Sequence, residues 1–140
     1  MLNSLKMSRD EFLDIFSEFN IAVVADDLAQ ESRQFRTDVP SGIDPLEQLA
    51  QQWQDFDGCP LALNEDKPRG QMLIDMTKKY NADAVVICMM RFCDPEEFDY
   101  PIYKPEFEAA GVRYTVLDLD IESPSLEQLR TRIQAFSEIL

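Results

Sequence analysis

The first apolar pattern along the chain has the spacing of a helix. Its members recur at intervals of three and four residues, which places them on one helix face, and they are Phe12, Ile15, Phe16 and Phe19. Ser8 and Glu11 stand just before and within this stripe in the arrangement of a capping box, which satisfies free N–H groups at a helix start. The pattern predicts a helix from about Ser8 to Phe19 with one buried face.

Two further helices are predicted in the middle of the chain. Asp44 is placed to cap the first of them, Pro45 takes its first position, and the helix is expected to end near Asp57 and Gly58. Its predicted inner stripe consists of Leu46, Leu49, Ala50 and Trp53. The second helix is indicated by Met72, Leu73, Met76 and Tyr80.

The last third of the chain repeats these start and stop signals. Asp94 precedes a proline and two glutamates, as at a helix start, and Pro101 is expected to break or kink the helix that follows. The helical segment Lys104–Ala110 then closes at Gly111. A last helix opens at the proline after Ser123, and its inner residues are Leu126, Leu129, Ile133 and Phe136.

Three short segments have the pattern of strands, and the first is a continuous apolar run typical of a strand that is buried on both faces. They are Ile21–Ala25, Ala84–Met90 and Val112–Leu119. Residues 59–69 contain two prolines and scattered charges, so we expect a loop there, with Leu61–Leu63 as a possible short strand.

Helices that alternate with buried strands favour a parallel sheet, because parallel strands need crossover connections. We therefore expect an α/β fold, a small parallel sheet of three or four strands with helices on both faces. Such an arrangement is a Rossmann-like or flavodoxin-like three-layer sandwich. The 140 residues fit a single domain that spans residues 1–140.

The charge of the chain excludes several classes of partner. Its 27 acidic residues against 13 basic ones give a formal net charge of −14, which repels nucleic-acid phosphates and anionic lipid surfaces. The apolar stretch Ala84–Met90 is far shorter than the roughly 20 residues of a membrane span, and the first residues lack the apolar core of a signal peptide. We therefore expect a cytoplasmic protein that binds neither nucleic acid nor membrane. With no histidine, the chain lacks the commonest general base.

Three cysteines are an odd number, which in a cytoplasmic chain indicates thiols or metal ligands instead of a disulfide framework. Cys93 follows a predicted strand and immediately precedes a predicted helix start, where the helix dipole favours a thiolate. Cys59 lies in a turn that Gly58 and Pro60 shape. Either residue could equally be an ordinary loop thiol. Cys88 lies inside a predicted strand and is expected in the core.

Two thiolates cannot complete the four-ligand shell of a protein-bound iron–sulfur cluster or a structural zinc ion. The long separation of Cys59 and Cys93 is also unlike the compact cysteine pairs of ferredoxins and zinc ribbons. Any cluster would therefore need ligands from another lobe, another subunit, inorganic ions or substrate.

Two other groups of charged residues allow different chemistry. Asp26 and Asp27 could hold Mg²⁺ as in response-regulator receiver domains, although the next predicted strand ends without an acceptor aspartate. Arg33 and Arg36 could bind an anionic substrate or a CoA phosphate through bidentate hydrogen bonds, or simply be solvated. The alternative to a metal-dependent enzyme is thus a non-catalytic α/β scaffold or a receiver-like phosphate-binding module.

Residues 85–101 resemble a known family. They contain Phe92-Cys93-Asp94-Pro95, which is similar to the Phe-Cys-Asp-Pro signature of the 2-hydroxyglutaryl-CoA dehydratase and benzoyl-CoA reductase family. Residues 128–136 resemble the closing helix of that family, and residues 24–33 resemble the start of its second half. The three matches follow the order of the family and span most of the chain.

The resemblance implies a lyase of anaerobic amino-acid fermentation, built from two related dehydratase subunits. Each subunit can hold a 4Fe–4S cluster through three cysteines, with substrate or solvent at the remaining iron. An ATP-dependent activator protein supplies one electron, which the cluster passes to the thioester carbonyl of a 2-hydroxyacyl-CoA. The resulting ketyl radical expels hydroxide, and an enoyl-CoA forms after proton loss and return of the electron.

Two residues carry this resemblance to the cluster site. Cys93 matches the signature cysteine, and Cys59 matches through its Cys-Pro context and the following residues 66–69. Family subunits have two lobes, so we expect this chain to be the C-terminal lobe of a longer subunit. One or more cluster cysteines would then lie in the other lobe, and the chain alone is expected to be inactive and without a cluster. The resemblance does not separate dehydratase from reductase, and it does not identify the acyl group.

Overall fold

The computed structural model describes residues 9–29, 31–42, 44–61, 65–120 and 125–140. Within these ranges the chain forms six helices and two strands, which confirms the α/β class. In chain order they are α1 (Arg9–Glu18), α2 (Ser32–Phe35), α3 (Pro45–Gln54), α4 (Arg69–Lys79), β1 (Ala84–Met90), α5 (Asp94–Ala110), β2 (Arg113–Leu119) and α6 (Leu126–Ser137). No described helix has both the length and the apolar character needed to cross a bilayer.

The two strands form a parallel pair, as the apolar runs predict. Their register extends from Ala84 opposite Arg113 to Met90 opposite Leu119. Helix α5 provides the crossover connection that a parallel pair needs. In the described part of the chain the sheet has only these two strands, fewer than the three or four expected. The three-layer sandwich stays a prediction.

Side chains of β1 alternate between two core clusters. Val86, Cys88 and Met90 join a first cluster with residues of α1, β2 and α6, namely Phe12, Ile15, Phe16, Leu117, Leu119, Leu129 and Ile133. Ile87 and Met89 belong to a second cluster with residues of α4 and α5, namely Ile74, Tyr103 and Phe107. Both faces of β1 are therefore covered, which explains why its sequence is apolar without alternation.

The sequence predicts that Pro101 breaks or kinks its helix, and of these two alternatives the break is wrong, because α5 continues through Pro101. Inside a helix, proline removes one backbone hydrogen bond and its ring crowds the carbonyl group four residues earlier, which costs about 3 kcal/mol. Tyr103 and Phe107, which follow it, are 2% and 0% exposed, and their burial stabilises the continuous helix. Gly111 ends the helix with φ +68°, as predicted for a left-handed C-terminal cap.

The predicted strand at Ile21–Ala25 is not formed. These residues have no regular secondary structure, and Val23 and Val24 are 53% and 52% exposed. The backbone of Ile21 instead donates a hydrogen bond to Phe16, which ties it to the end of α1. An apolar, β-branched run favours a strand only where a neighbouring strand can complete its hydrogen bonds, and in the described residues β1 pairs with β2 alone.

Helix α3 forms as predicted, but its inner stripe is exposed. Asp44 caps it by accepting a hydrogen bond from the backbone N–H of Leu46 at 2.9 Å, and the helix ends at Gln54, slightly before the predicted end. None of its residues is buried, and Leu46 and Trp53 are 78% and 73% exposed. Helix α4 is also confirmed, although its buried residues are Arg69, Gly70 and Ile74 instead of the predicted stripe.

The terminal helices agree with their predicted faces. Phe12, Ile15 and Phe16 of α1 are buried, and so are the inner residues of α6, Leu129, Ile133 and Phe136. Ser125 caps α6 through its hydroxyl oxygen, which accepts from Gln128 N–H. The predicted cap at Ser8, the helix start at Ser123 and two residues of the possible strand Leu61–Leu63 lie outside the described residues, while Leu61 itself lies in a turn.

Candidate functional site

Cys93 lies between the end of β1 and the start of α5, which is the position that the sequence predicts. Its N–H donates to Met90 O at 3.1 Å, and its carbonyl oxygen accepts from the N–H groups of Glu96 and Glu97 in the first turn of α5. The thiol makes no capping hydrogen bond. Phe92, just before it, has φ +64°, a conformation that is costly for a bulky residue. The backbone of Cys93 is therefore held by hydrogen bonds, while its partly buried side chain packs against the first core cluster and also lines the cavity described below.

Cys59 lies in the turn that follows α3. Gly58 has φ +73°, and the Met72 side chain occupies the place of any Cβ at that position. A residue other than glycine would thus be strained by its φ, and the flexible end of the Met72 side chain would have to move. This is the tight geometry that the sequence predicts at Gly58.

The two cysteines line the same cavity. It has a volume of about 430 Å³, within the roughly 300–1,000 Å³ range of ligand sites. Its charged residues are Arg33 and Glu96, and the rest of its wall is mostly apolar, including Phe35, Trp53, Phe56, Pro60, Leu61 and Pro95. Cys59 and Cys93, which are distant in sequence, therefore both lie on the wall of this cavity.

Arg33 joins this cavity to a buried ion-pair network. Its guanidinium Nε and Nη2 donate to the two carboxylate oxygens of Asp27 at 3.2 and 3.0 Å. Burial acts to lower the pKa of Arg33, but the charge and hydrogen bonds of Asp27 outweigh it, so this pKa is raised. Cys59 is close enough to interact electrostatically with the guanidinium. Arg33 is therefore a permanent cation beside one of the two thiols.

The Asp27 carboxylate also binds two other arginines. Arg36 donates to it at 2.6 Å and Arg69 lies 3.2 Å from it. Arg69 donates in turn to Glu96 at 3.1 Å, and Glu96 lies 3.8 Å from Arg33. These five residues form the Asp27 network, which connects the segment after α1 to the first turns of α4 and α5.

The predicted anion-binding arginines are thus engaged within the protein. Arg33 is 5% exposed and is not a solvated loop residue. Substrate binding by Arg33 and Arg36 stays a prediction, and in the described structure both guanidinium groups are already bound to Asp27. Asp26 is engaged as well, because its Oδ1 accepts from the N–H groups of Leu28 and Ser32, both at 3.1 Å.

Sequence reasoning missed the functions of Asp27, Arg69 and Glu96 in this network. From the sequence, Asp27 is a candidate magnesium ligand and Glu96 is part of a predicted helix start. A usable signal was present, because the chain holds an unusually apolar approach to Asp26-Asp27 followed by two arginines at residues 33 and 36. Arg69 has no comparable sequence signal, since its partners come from distant segments.

Cys88 differs from the other two cysteines. It packs against the first core cluster beside Val86 and Met90, as predicted, and Cys93 packs against the same cluster. Burial of its thiol raises its pKa to about 11, so the thiol is neutral near pH 7. Cys88 does not line the cavity that Cys59 and Cys93 share.

The donor set at the cavity is incomplete for an iron–sulfur cluster. Among the described residues no group of three or more His, Cys, Asp or Glu is arranged to hold a metal ion. Cys59 and Cys93 would supply two of the thiolates that such clusters use. The sulfur ligands and the mostly apolar wall fit a cluster, provided that further ligands come from elsewhere.

Comparison with known proteins agrees with the resemblance of the signature segment. The chain is 50% identical over 141 aligned residues to lactoyl-CoA dehydratase subunit beta of Anaerotignum propionicum, covering 100% of this chain and 38% of that protein. It is 44% identical to the (R)-phenyllactyl-CoA dehydratase beta subunit of Clostridium sporogenes, covering 94% of this chain and 35% of that subunit. It is 30% identical to (R)-2-hydroxyglutaryl-CoA dehydratase subunit beta of Acidaminococcus fermentans, covering 91% and 35% of the two chains.

The chain therefore spans little more than a third of the length of these curated relatives. The family described as 2-hydroxyglutaryl-CoA dehydratase, D-component, matches residues 2–140, nearly the whole chain. Because the match covers nearly all residues, the chain belongs to the 2-hydroxyglutaryl-CoA dehydratase D-component family.

Proposed function

We propose that this chain forms part of an iron–sulfur subunit of a 2-hydroxyacyl-CoA dehydratase, a lyase that removes water from its substrate. In this proposal Cys59 and Cys93 are two of the ligands of a 4Fe–4S cluster. The observation that carries it is the convergence of these two thiols on one cavity in a chain of this family. The isolated chain would be inactive, because the remaining ligands and most of the substrate site would lie elsewhere.

Each residue of the site has a distinct part in this proposal. When bound, the cluster supplies one-electron transfer to the substrate. Cys59 and Cys93 would hold it, and the Arg33 cation would balance part of the negative charge of the thiolates. The apolar side chains around the cavity, Trp53 and Phe56 among them, would limit the access of water.

The names of the relatives support the proposed substrate class and partners. The three relatives are named for lactoyl-CoA, phenyllactyl-CoA and 2-hydroxyglutaryl-CoA, and each is called a beta subunit. We therefore propose a 2-hydroxyacyl-CoA thioester as substrate and a second, related dehydratase subunit as partner. An ATP-dependent activator protein as electron donor and a cytoplasmic location belong to the same proposal.

A chimeric subunit tests this function. This chain replaces the aligned segment of the Anaerotignum propionicum beta subunit, and the chimera is assembled anaerobically with its partner subunit, activator, ATP and a one-electron reductant. We expect loss of water from a 2-hydroxyacyl-CoA, measured by separation of the enoyl-CoA product. Cys93→Ser should abolish turnover, and Cys88→Ser is the matched control that should retain it.

Two outcomes would contradict the proposal. A chimera that folds and assembles but processes none of the three named thioesters would favour the alternative, a non-catalytic α/β scaffold. Retention of full activity by Cys93→Ser would exclude Cys93 as a cluster ligand even if the chimera were active.

A further inference from the structure

The Asp27 network reaches both cysteine-bearing turns. At one end Arg36 donates to the carbonyl oxygen of Asp57 at 3.1 Å, two residues before Cys59. At the other end Arg69 donates to Glu96 at 3.1 Å, three residues after Cys93. Both arginines also contact the carboxylate of Asp27. A continuous path of ion pairs and hydrogen bonds therefore connects the two turns.

The two turns also have similar backbone conformations. Gly58 and Phe92, the residues immediately before Cys59 and Cys93, have φ of +73° and +64°. A left-handed conformation at a residue such as Phe92 persists only where surrounding contacts hold it. One such contact is the hydrogen bond from Phe92 N–H to Glu97 Oε1 at 3.2 Å. The position of each cysteine thus depends on contacts made by its neighbours.

The location of Asp27 makes it the central member of the network. Its side chain is 7% exposed, and Arg33, Arg36 and Arg69 all approach the same two oxygens. Buried ion pairs add little net stability compared with well-packed apolar residues. Their directional hydrogen bonds do, however, fix the relative position of the segments that carry them.

We propose that Asp27 is a positioning residue that holds the turns of Cys59 and Cys93 at the spacing needed to bind one shared ligand. Only the identity of that ligand as a cluster rests on the proposed function. Asp27 itself touches neither the ligand nor the reacting atoms in this account. It acts through Arg36 on one turn and through Arg69 and Glu96 on the other.

Thiol bridging in the 140-residue chain tests this proposal. Dibromobimane becomes strongly fluorescent when it bridges two nearby thiols, and monobromobimane measures the reactivity of each thiol alone. The ratio of bridging to single alkylation, with the bridged peptides identified by mass spectrometry, reports the spacing of Cys59 and Cys93. A merely stabilising role of Asp27 would leave this ratio unchanged in folded protein.

Two variants and one control make the test selective. Arg36→Gln removes the link to Asp57 at a partly exposed side chain, so the fold is expected to survive, and Asp27→Asn disrupts the centre of the network. In each folded variant we expect the ratio to fall by roughly tenfold or more, because small displacements strongly slow an intramolecular reaction. Glu18→Gln removes a remote ion pair with Arg130 and should leave the ratio unchanged.

Should Asp27→Asn fail to fold, Arg36→Gln decides the question. An unchanged ratio in Arg36→Gln, or no Cys59–Cys93 bridge in the unsubstituted chain, would overturn the proposal. The iron content of the chimeric subunit distinguishes a failure of this positioning proposal from a failure of the proposed function. Network-dependent bridging without iron binding would refute only the cluster, and iron binding with unaltered bridging would refute only the positioning function.

Discussion

Two regions of the chain use apolar residues differently. In the region formed by β1, β2, α5 and α6, apolar residues of each element lie in the two core clusters, and Phe107, Leu117 and Ile133 are each 0% exposed. In the described residues between Ile21 and Leu61 no hydrophobic residue is fully buried, and Val23, Leu46 and Trp53 are all largely exposed. The first region is held by apolar packing on both faces of β1. The second is held to the rest of the described structure largely by the Asp27 network.

This comparison shows that an apolar pattern can predict a helix without predicting that the apolar face of the helix is buried. Spacing and caps are local signals, and they are sufficient to predict that α3 is a helix. Burial of a helix face requires another element against it, and α3 has no such element among the described residues. An apolar stripe therefore predicts which face is available for packing, and tertiary structure decides whether that face is covered.

The largest expected effect is in the packed region. Phe107→Ala removes a fully buried ring from the second core cluster and should lower the free energy of unfolding by about 3–5 kcal/mol. Trp53→Ala removes a larger side chain from α3, but this side chain is 73% exposed. The substitution should therefore change the free energy of unfolding by no more than about 0.5 kcal/mol. Urea denaturation followed by circular dichroism measures both. Equal losses from the two variants would mean that the two regions do not differ in packing.

The next effect tests whether ion pairs hold the less packed region. Asp27→Asn leaves three arginines without their shared carboxylate, and we expect a loss of roughly 3 kcal/mol, since breaking a buried ion pair leaves uncompensated charge. Asp26→Asn is the matched control at the adjacent position. Its side-chain oxygen can still accept from Leu28 and Ser32, so little change in urea midpoint is expected. If both variants had the same small effect, the network would not stabilise this region.

A smaller, local effect is expected at the start of α3. Asp44→Ala removes the oxygen that accepts from Leu46 N–H, and loss of such a cap typically costs about 1 kcal/mol. Because α3 has no buried residue, fraying should be confined to this helix. Hydrogen exchange should therefore accelerate at residues 46–48 and stay unchanged in α6. Faster exchange in both helices would show that α3 is coupled to the core after all.

The smallest effect concerns the ion pair between Glu18 of α1 and Arg130 of α6. The hydrogen bond from Arg130, assisted by its charge, lowers the pKa of Glu18 below its ordinary value of about 4.5. A lowered pKa in the folded state contributes stability above pH 4.5, and this contribution is lost as the pH falls through the folded value. Both side chains are solvent-accessible, so the contribution is small and sensitive to salt. The difference in urea midpoint between the unsubstituted chain and Glu18→Gln should be present at pH 7 and decrease as the pH is lowered below 4.5. A difference that did not change with pH would contradict this assignment.

Features of the fold that depend on local sequence were predictable, and features that depend on tertiary contacts were not. The bounds of β1 were predictable because this strand is covered on both faces, which leaves a continuous apolar run. Gly111 and Asp44 were predictable because caps depend on adjacent backbone groups. The strand expected at Ile21–Ala25 was wrong because a strand also needs a partner, and sequence does not indicate whether that partner is available. The uninterrupted α5 was missed because burial of Tyr103 and Phe107 is a tertiary effect.

The site could be predicted only in part for a related reason. The signature around Cys93 and the Gly58-Cys59-Pro60 turn singled out the two thiols that line the cavity. The Asp27 network could not be derived, because Arg69 and Glu96 come from different helices and meet Asp27 only in the folded chain. Local motifs thus indicate candidate ligands, while the groups that position those ligands depend on the tertiary fold.

We propose that Cys59 and Cys93, and not Cys88, bind iron together. The most direct measurement is the iron and sulfide content of the anaerobically reconstituted chimeric subunit, compared with its Cys59→Ser, Cys93→Ser and Cys88→Ser variants. We predict that the first two variants lose the cluster and its visible absorption, while Cys88→Ser retains both. Full iron content in Cys59→Ser and Cys93→Ser would contradict the account.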